Sequence, residues 1–96
     1  MWHGRVPRAK SDAYLRLMRT IAIPDYKATA GNLGAYAMCR IDGDVAHFEM
    51  LTFWESLTAI SRFAGPNAEA AKYYDFDRDF LLEFEPTARH FEIFDR

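Results

Sequence analysis

Two long runs of strand-forming residues, "LGAYAMCRI" and "VAHFEMLTFW", meet at the tripeptide Asp42-Gly43-Asp44. Asp-Gly suits the primed turns whose twist matches that of the flanking strands, so the pattern predicts a β-hairpin. The second run also changes period at its end. Up to Trp54 it reads as a strand, and beyond it Leu57, Ile60, Phe63 and Ala64 share one helical face until Gly65-Pro66.

The flanks extend this hairpin-plus-helix in both directions. "MWHGRV" reads as a strand stopped by Pro7. From Arg8 on, Ala9, Ala13, Tyr14, Leu17, Met18 and Ile21 mark one helix face, Arg16 and Arg19 take the wet side, and Ile23-Pro24 predicts the end. "TAGN" is a turn. "NAEAAKYY" predicts a further helical turn or two, "DFDRDFLLEFEP" another short one, and "ARHFEIF" a last strand.

The resulting order, β-α-β-β-α-β, is the ferredoxin-like plan of a single α+β domain over residues 1–96, with an antiparallel sheet ordered 4-1-3-2 and both helices on one face. The other face stays bare. Tyr36 and Met38, or Ala37 and Cys39, point to it from the second strand, and Phe48 and Met50, or Leu51 and Phe53, from the third. Either parity is apolar, so a two-fold homodimer with packed sheets is expected.

Composition narrows the function. An aromatic share of 16% is high for so small a fold and favours a partner chain, a ligand cavity, or both. A net charge of −2 gives no phosphate-backbone footprint, so no nucleic-acid partner is expected. The first twenty residues hold five basic side chains against Asp12, and the last twenty-two hold seven acids against three arginines. The two ends are expected to lie side by side. The lone Cys39 forms no internal disulfide, which fits a reducing cytoplasm, and its apolar strand context predicts a buried, inert thiol. The longest uncharged run, Ala28 to Cys39, is broken by two glycines and is not a membrane span.

The segments "WHGRVP", "AYLRLM", "PDYKATAGNLGAY", "GDVAHFEMLTFWESLTAISRFAG" and "AAKYYDFDRDFLLEFEPTARHFEIF" together resemble the antibiotic biosynthesis monooxygenase (ABM) family of dimeric α/β-barrel proteins. The most specific features are the T-x-W-x-S corner at Thr52, Trp54 and Ser56, and the F-A-G followed by K-Y-Y. Relatives carry a few residues before the W-H-G, so the first strand here looks clipped. The resemblance implies cofactor-independent oxidation of a small aromatic, quinol-like or enolisable molecule. An electron-rich phenol or anthrone is deprotonated, its anion passes an electron to O₂, and a peroxide collapses to a quinone. Such a site needs a dry aromatic slot, a proton acceptor and donors for the developing anion. The alternative is a non-catalytic, small-ligand-binding or stress-associated barrel.

Trp54 matches the family's tryptophan, as pocket wall and donor to a substrate oxygen; it serves equally as packing between sheet and helix. Family enzymes of the quinol type place an amide one turn of the strand earlier, where this chain has Met50. The haem-degrading branch has a histidine in the "AAKYY" segment and a second helix tryptophan, where this chain has Lys72, Tyr73 or Tyr74, and Phe63. His3 or His47 is the expected proton acceptor, and Tyr14, Phe48, Met50, Phe63 and Tyr73 the apolar lining. His3, His47 and His90 fall on neighbouring strands without ligand-type spacing, so no metal is expected. Arg40 is expected to pair with Asp42 or Asp44, and the glycines of "AGNLGAY" precede a strand, not the helix a phosphate loop needs.

Overall fold

A computed structural model of the chain describes residues 1–94; Asp95, one of the C-terminal acids, lies outside them. Strands β1 (Trp2–Pro7), β2 (Asn32–Asp42) and β3 (Val45–Trp54) form an open antiparallel sheet in the order β1-β3-β2. The expected hairpin is present. Asp42 pairs with Val45 across the two-residue Gly43-Asp44 turn. Gly43 has φ +60°, the left-handed value that the first position of a type II′ turn demands.

One face of the sheet carries the helices. The first helical stretch joins α1 (Ser11–Leu17), a π-helical turn (Met18–Ala22) and α2 (Ile23–Ala28); the second is α3 (Leu57–Ala64). Buried Tyr14, Met18 and Tyr26 from the first stretch and Phe63 from α3 meet Phe48 and Met50 of β3 in one core. The expected stop at Ile23-Pro24 does not occur. The Ile23 N–H donates to the carbonyl of Met18, five residues back. The widened turn makes room for the proline ring, which in an α-helix strikes the carbonyl four residues before it. On α3 the buried face is Ala59, Ile60 and Phe63, while Leu57 is 64% exposed. No helix among the described residues is long and apolar enough to cross a membrane.

Strand alternation decides what lies on the bare face. Trp2, Val6, Ala46, Phe48 and Met50 are buried under the helices. Their neighbours His3, Arg5, His47 and Glu49 point the other way, with His3 opposite Glu49 and His47 between Arg5 and Arg40. The bare face is therefore apolar over half its extent only, where Tyr36 and Met38 are exposed beside Leu51 and Phe53. Cys39 is exposed, not buried. At about 3.3 Å per residue the eleven-residue β2 outruns the helical layer, and Met38–Asp42 overhang it uncovered. Arg40 pairs with Asp42 at 3.8 Å.

After α3 the expected helical turns and last strand give way to irregular chain. "NAEAAKYY" forms no helix; Ala70 bridges Thr87, and the Ala71 N–H donates to the Pro86 carbonyl at 3.1 Å. Asp75–Asp79 is a 3₁₀ turn. Residues 88–94 carry no strand, but Arg89 and Met1 exchange backbone hydrogen bonds beside the free edge of β1. Here the basic and acidic ends of the chain do meet. Arg5 grips Glu83 with two bonds of 2.7 and 2.9 Å, Lys10 donates to the Asp79 carbonyl, and His3 bonds Glu85 at 2.5 Å.

Candidate functional site

The T-x-W-x-S corner assigns a task to each of its three residues. The Ser56 hydroxyl accepts the Ala59 N–H at 3.1 Å and so starts α3. Thr52 and Trp54, two apart on one strand, share the helix-covered side. There the Trp54 Nε1–H donates to Thr52 Oγ1 at 2.8 Å. The indole leans on Tyr26 and Phe63, with ring centres 6.3 and 5.9 Å away. Its donor is spent within the corner; its face remains as a wall.

Beside that wall lies a partly open cavity of about 30 Å³, with Trp2, Tyr26, Trp54, Phe63, Lys72 and His90 in its lining. A smaller one, about 10 Å³, shares Trp2, Tyr26 and Lys72 and reaches Tyr14, Met50 and Asp77. A single water needs roughly 10–15 Å³, so the pair admits waters and no aromatic ring. Alanines 68, 70 and 88 line the larger cavity from irregular chain. A guest larger than water has to displace walls of the cavity.

Of the expected site residues, Trp54 and Phe63 line the larger cavity, and Tyr14 and Met50 the smaller. Phe48 lines neither; it packs edge-on against Tyr14 at 4.9 Å. Tyr73 also stays outside, edge-on to Trp2 at 6.0 Å, with its hydroxyl donating to the Glu85 carbonyl. His3 and His47 are on the far side of the sheet from Trp54. They form a chain there, Glu85 to His3 Nδ1 and His3 Nε2 to His47 Nδ1 at 3.1 Å. The sheet does not bring them to the cleft. His90, from the irregular C-terminal chain, is the histidine that lines it.

Around the cavities most polar atoms are spent on each other. Asp77, 1% exposed, accepts the Tyr14 hydroxyl and the Tyr74 N–H, both at 2.7 Å. Burial pushes its carboxyl above the usual range, against the pull of those two bonds. The Tyr14 phenol is raised far above its ordinary value by burial and by its bond to Asp77. Asp25 accepts Lys72 Nζ at 2.9 Å and the Tyr74 hydroxyl at 2.6 Å. Burial opposes its charge, but those partners hold the carboxyl below its usual range. The Lys72 ammonium also sits 4.2 Å above the Phe63 ring.

Two polar groups escape this pairing. Trp2 Nε1 is buried with no partner among the described residues. His90 Nε2 lies 2.6 Å from the Ala68 carbonyl. A carbonyl only accepts, so Nε2 carries a proton in this contact, and Nδ1 has no partner among the described residues. Trp2, Lys72, Asp77 and His90 were not expected in the site. A signal for Trp2 existed: in "WHGRV" the residues Trp2, Gly4 and Val6 alternate with polar His3 and Arg5. Gly4 is part of it, because a Cβ there would fall 2.5 Å from the Trp2 ring.

Among the described residues no three His, Cys, Asp or Glu side chains gather to hold a metal ion. No family model, curated protein or solved structure matches the chain. The likeness of its motifs to the ABM family therefore rests on those motifs alone.

Proposed function

We propose that the chain is one subunit of a two-fold, ferredoxin-like α/β barrel of the ABM type. In this reading it oxidises a small aromatic, quinol-like or enolisable molecule with O₂, without a cofactor, in the cytoplasm. The observation that carries the proposal is the cavity beside Trp54, which joins aromatic walls to an imidazole and an ammonium on the covered side of the sheet. The order β1-β3-β2 is the three-strand portion of 4-1-3-2, and Arg89 stands against the free edge of β1 where a fourth strand belongs. Tyr36, Met38, Leu51 and Phe53 supply the apolar patch on which a second copy packs. The test is O₂ uptake with a panel of quinols and anthrones. Trp54→Phe keeps the dimer and lowers uptake, whereas uptake at the buffer rate by the unaltered protein rejects the oxidation.

A second reading, a non-catalytic binder of the same molecules, is favoured by two observations. The Trp54 donor is already committed to Thr52, and Met50 stands where the quinol-type enzymes have an amide. This reading predicts a raised melting temperature with quinones and no O₂ consumption.

A further inference from the structure

The two unspent polar groups among the cavity-lining side chains, Trp2 Nε1 and His90 Nδ1, belong to residues that line the same cavity. A buried N–H without an acceptor is costly, and such a group points to a missing partner from outside the chain. Trp2 is 6% exposed, lines both cavities and lacks that partner. His90 supplies the complementary function: with its Nε2–H committed to the Ala68 carbonyl, the neutral ring offers Nδ1 as an acceptor. The backbone holds the two side chains near each other. Met1 and Arg89 exchange backbone hydrogen bonds, so the residues that flank them, Trp2 on β1 and Ala88 and His90 on the facing irregular segment, line one cavity together.

We infer that Trp2 and His90 form the recognition pair of the cleft, selecting molecules that carry an ionisable hydroxyl next to a second oxygen, such as catechols or enediols. Trp2 Nε1–H donates to one oxygen. His90 Nδ1 takes the proton from the other, giving an imidazolium and an aryloxide or enolate. No atom has to be rearranged for this, since the Nε2–H bond to Ala68 survives protonation. The Lys72 ammonium, which lines both cavities, faces the new anion. The inference rests on the proposed function and deepens it. It moves the acid–base role from His3 and His47 to His90, and the donor role from Trp54 to Trp2.

The probe is 4-nitrocatechol, whose ionisation is visible in its absorbance, added to ¹⁵N-labelled protein. The expected result has three parts: the Trp2 indole N–H signal shifts, His90 Nδ1 acquires a proton, and the bound probe ionises at a pH where the free probe does not. His90→Gln should still bind it but raise the pH of ionisation by about one unit or more. Trp2→Phe should weaken binding about tenfold. A probe that shifts the Trp54 indole yet stays neutral, or leaves Trp2 and His90 unmoved, overturns the pair and leaves the cleft standing. If neither indole responds, the cleft holds only water, and the inference falls together with the ligand reading.

Discussion

The covered and bare faces of the sheet draw on the same side chains, rings, histidines and carboxylates, and use them differently. On the covered face Tyr14 bonds Asp77, Tyr74 bonds Asp25 and Trp54 bonds Thr52, the first pair buried and the other two half-buried. On the bare face His3 is tied to Glu85 and to His47, and Arg5 to Glu83, so the polar groups fasten the C-terminal segment to β1. A histidine's role therefore depends on the strand parity that places it and on what already occupies its nitrogens. By that criterion His90 is available to a guest, while His3 is engaged at both nitrogens.

The largest effect tests the covered face as the seat of stability. Phe48→Ala, at a side chain 0% exposed, should cost about 3–5 kcal/mol in urea unfolding. A loss below about 1 kcal/mol would mean that the core is centred elsewhere. Next comes the bare face. If the proposed dimer forms there, Tyr36→Glu combined with Phe53→Glu should raise its dissociation constant about 100-fold in sedimentation, with little change in the unfolding of each subunit. An unaltered chain that already sediments as single subunits at micromolar concentration breaks the comparison, because that face then needs no partner.

The third effect concerns pH. Burial raises the Asp77 carboxyl, so the folded state holds that proton better than the unfolded one. Its contribution is complete below the usual carboxylate range and is lost as pH rises through the raised value. Asp77→Asn should cost about 1–2 kcal/mol and remove that decline from the stability profile. Asp25 has the opposite sign. Its carboxyl is held low, so its contribution is present above the usual range and is lost as pH falls through the lowered value. Asp25→Asn should flatten the acid limb only. The smallest effect is that of Arg5→Ala, whose partner Glu83 is solvent-exposed. Any loss should fade near 1 M salt, where the screening length is about 3 Å.

The hairpin, α3 and the first strand were legible because local rules and tertiary packing agree there. So was the meeting of the charged ends, which needs only the charge count and Coulomb attraction. The parity of the histidines was left open, although "VAHFEM" carries a signal for it: Ala46, Phe48 and Met50 alternate with Val45, His47 and Glu49. Beyond Trp54 that signal is gone. Residues 66–94 carry rings and carboxylates without a period, and distant partners such as Tyr14 for Asp77 and Arg5 for Glu83 fix their shape. Of the site residues missed, Lys72, Asp77 and His90 come from that stretch, and Trp2 alone from a strand.

The wide turn at Met18–Ala22 has one more consequence. Tyr14, Met18, Ala22 and Tyr26 are all buried, each four positions after the last. Successive steps of four drift by about 40° on a regular α-helix, so the loosened winding is what keeps Tyr26 under the same roof as Tyr14. Excising exposed Ile21 would leave the four at intervals of four, three and four, the stripe of an ordinary amphipathic rod. The chain thus carries one residue more than its scaffold requires, inserted where Met18 and Ala22 border the inner hollow.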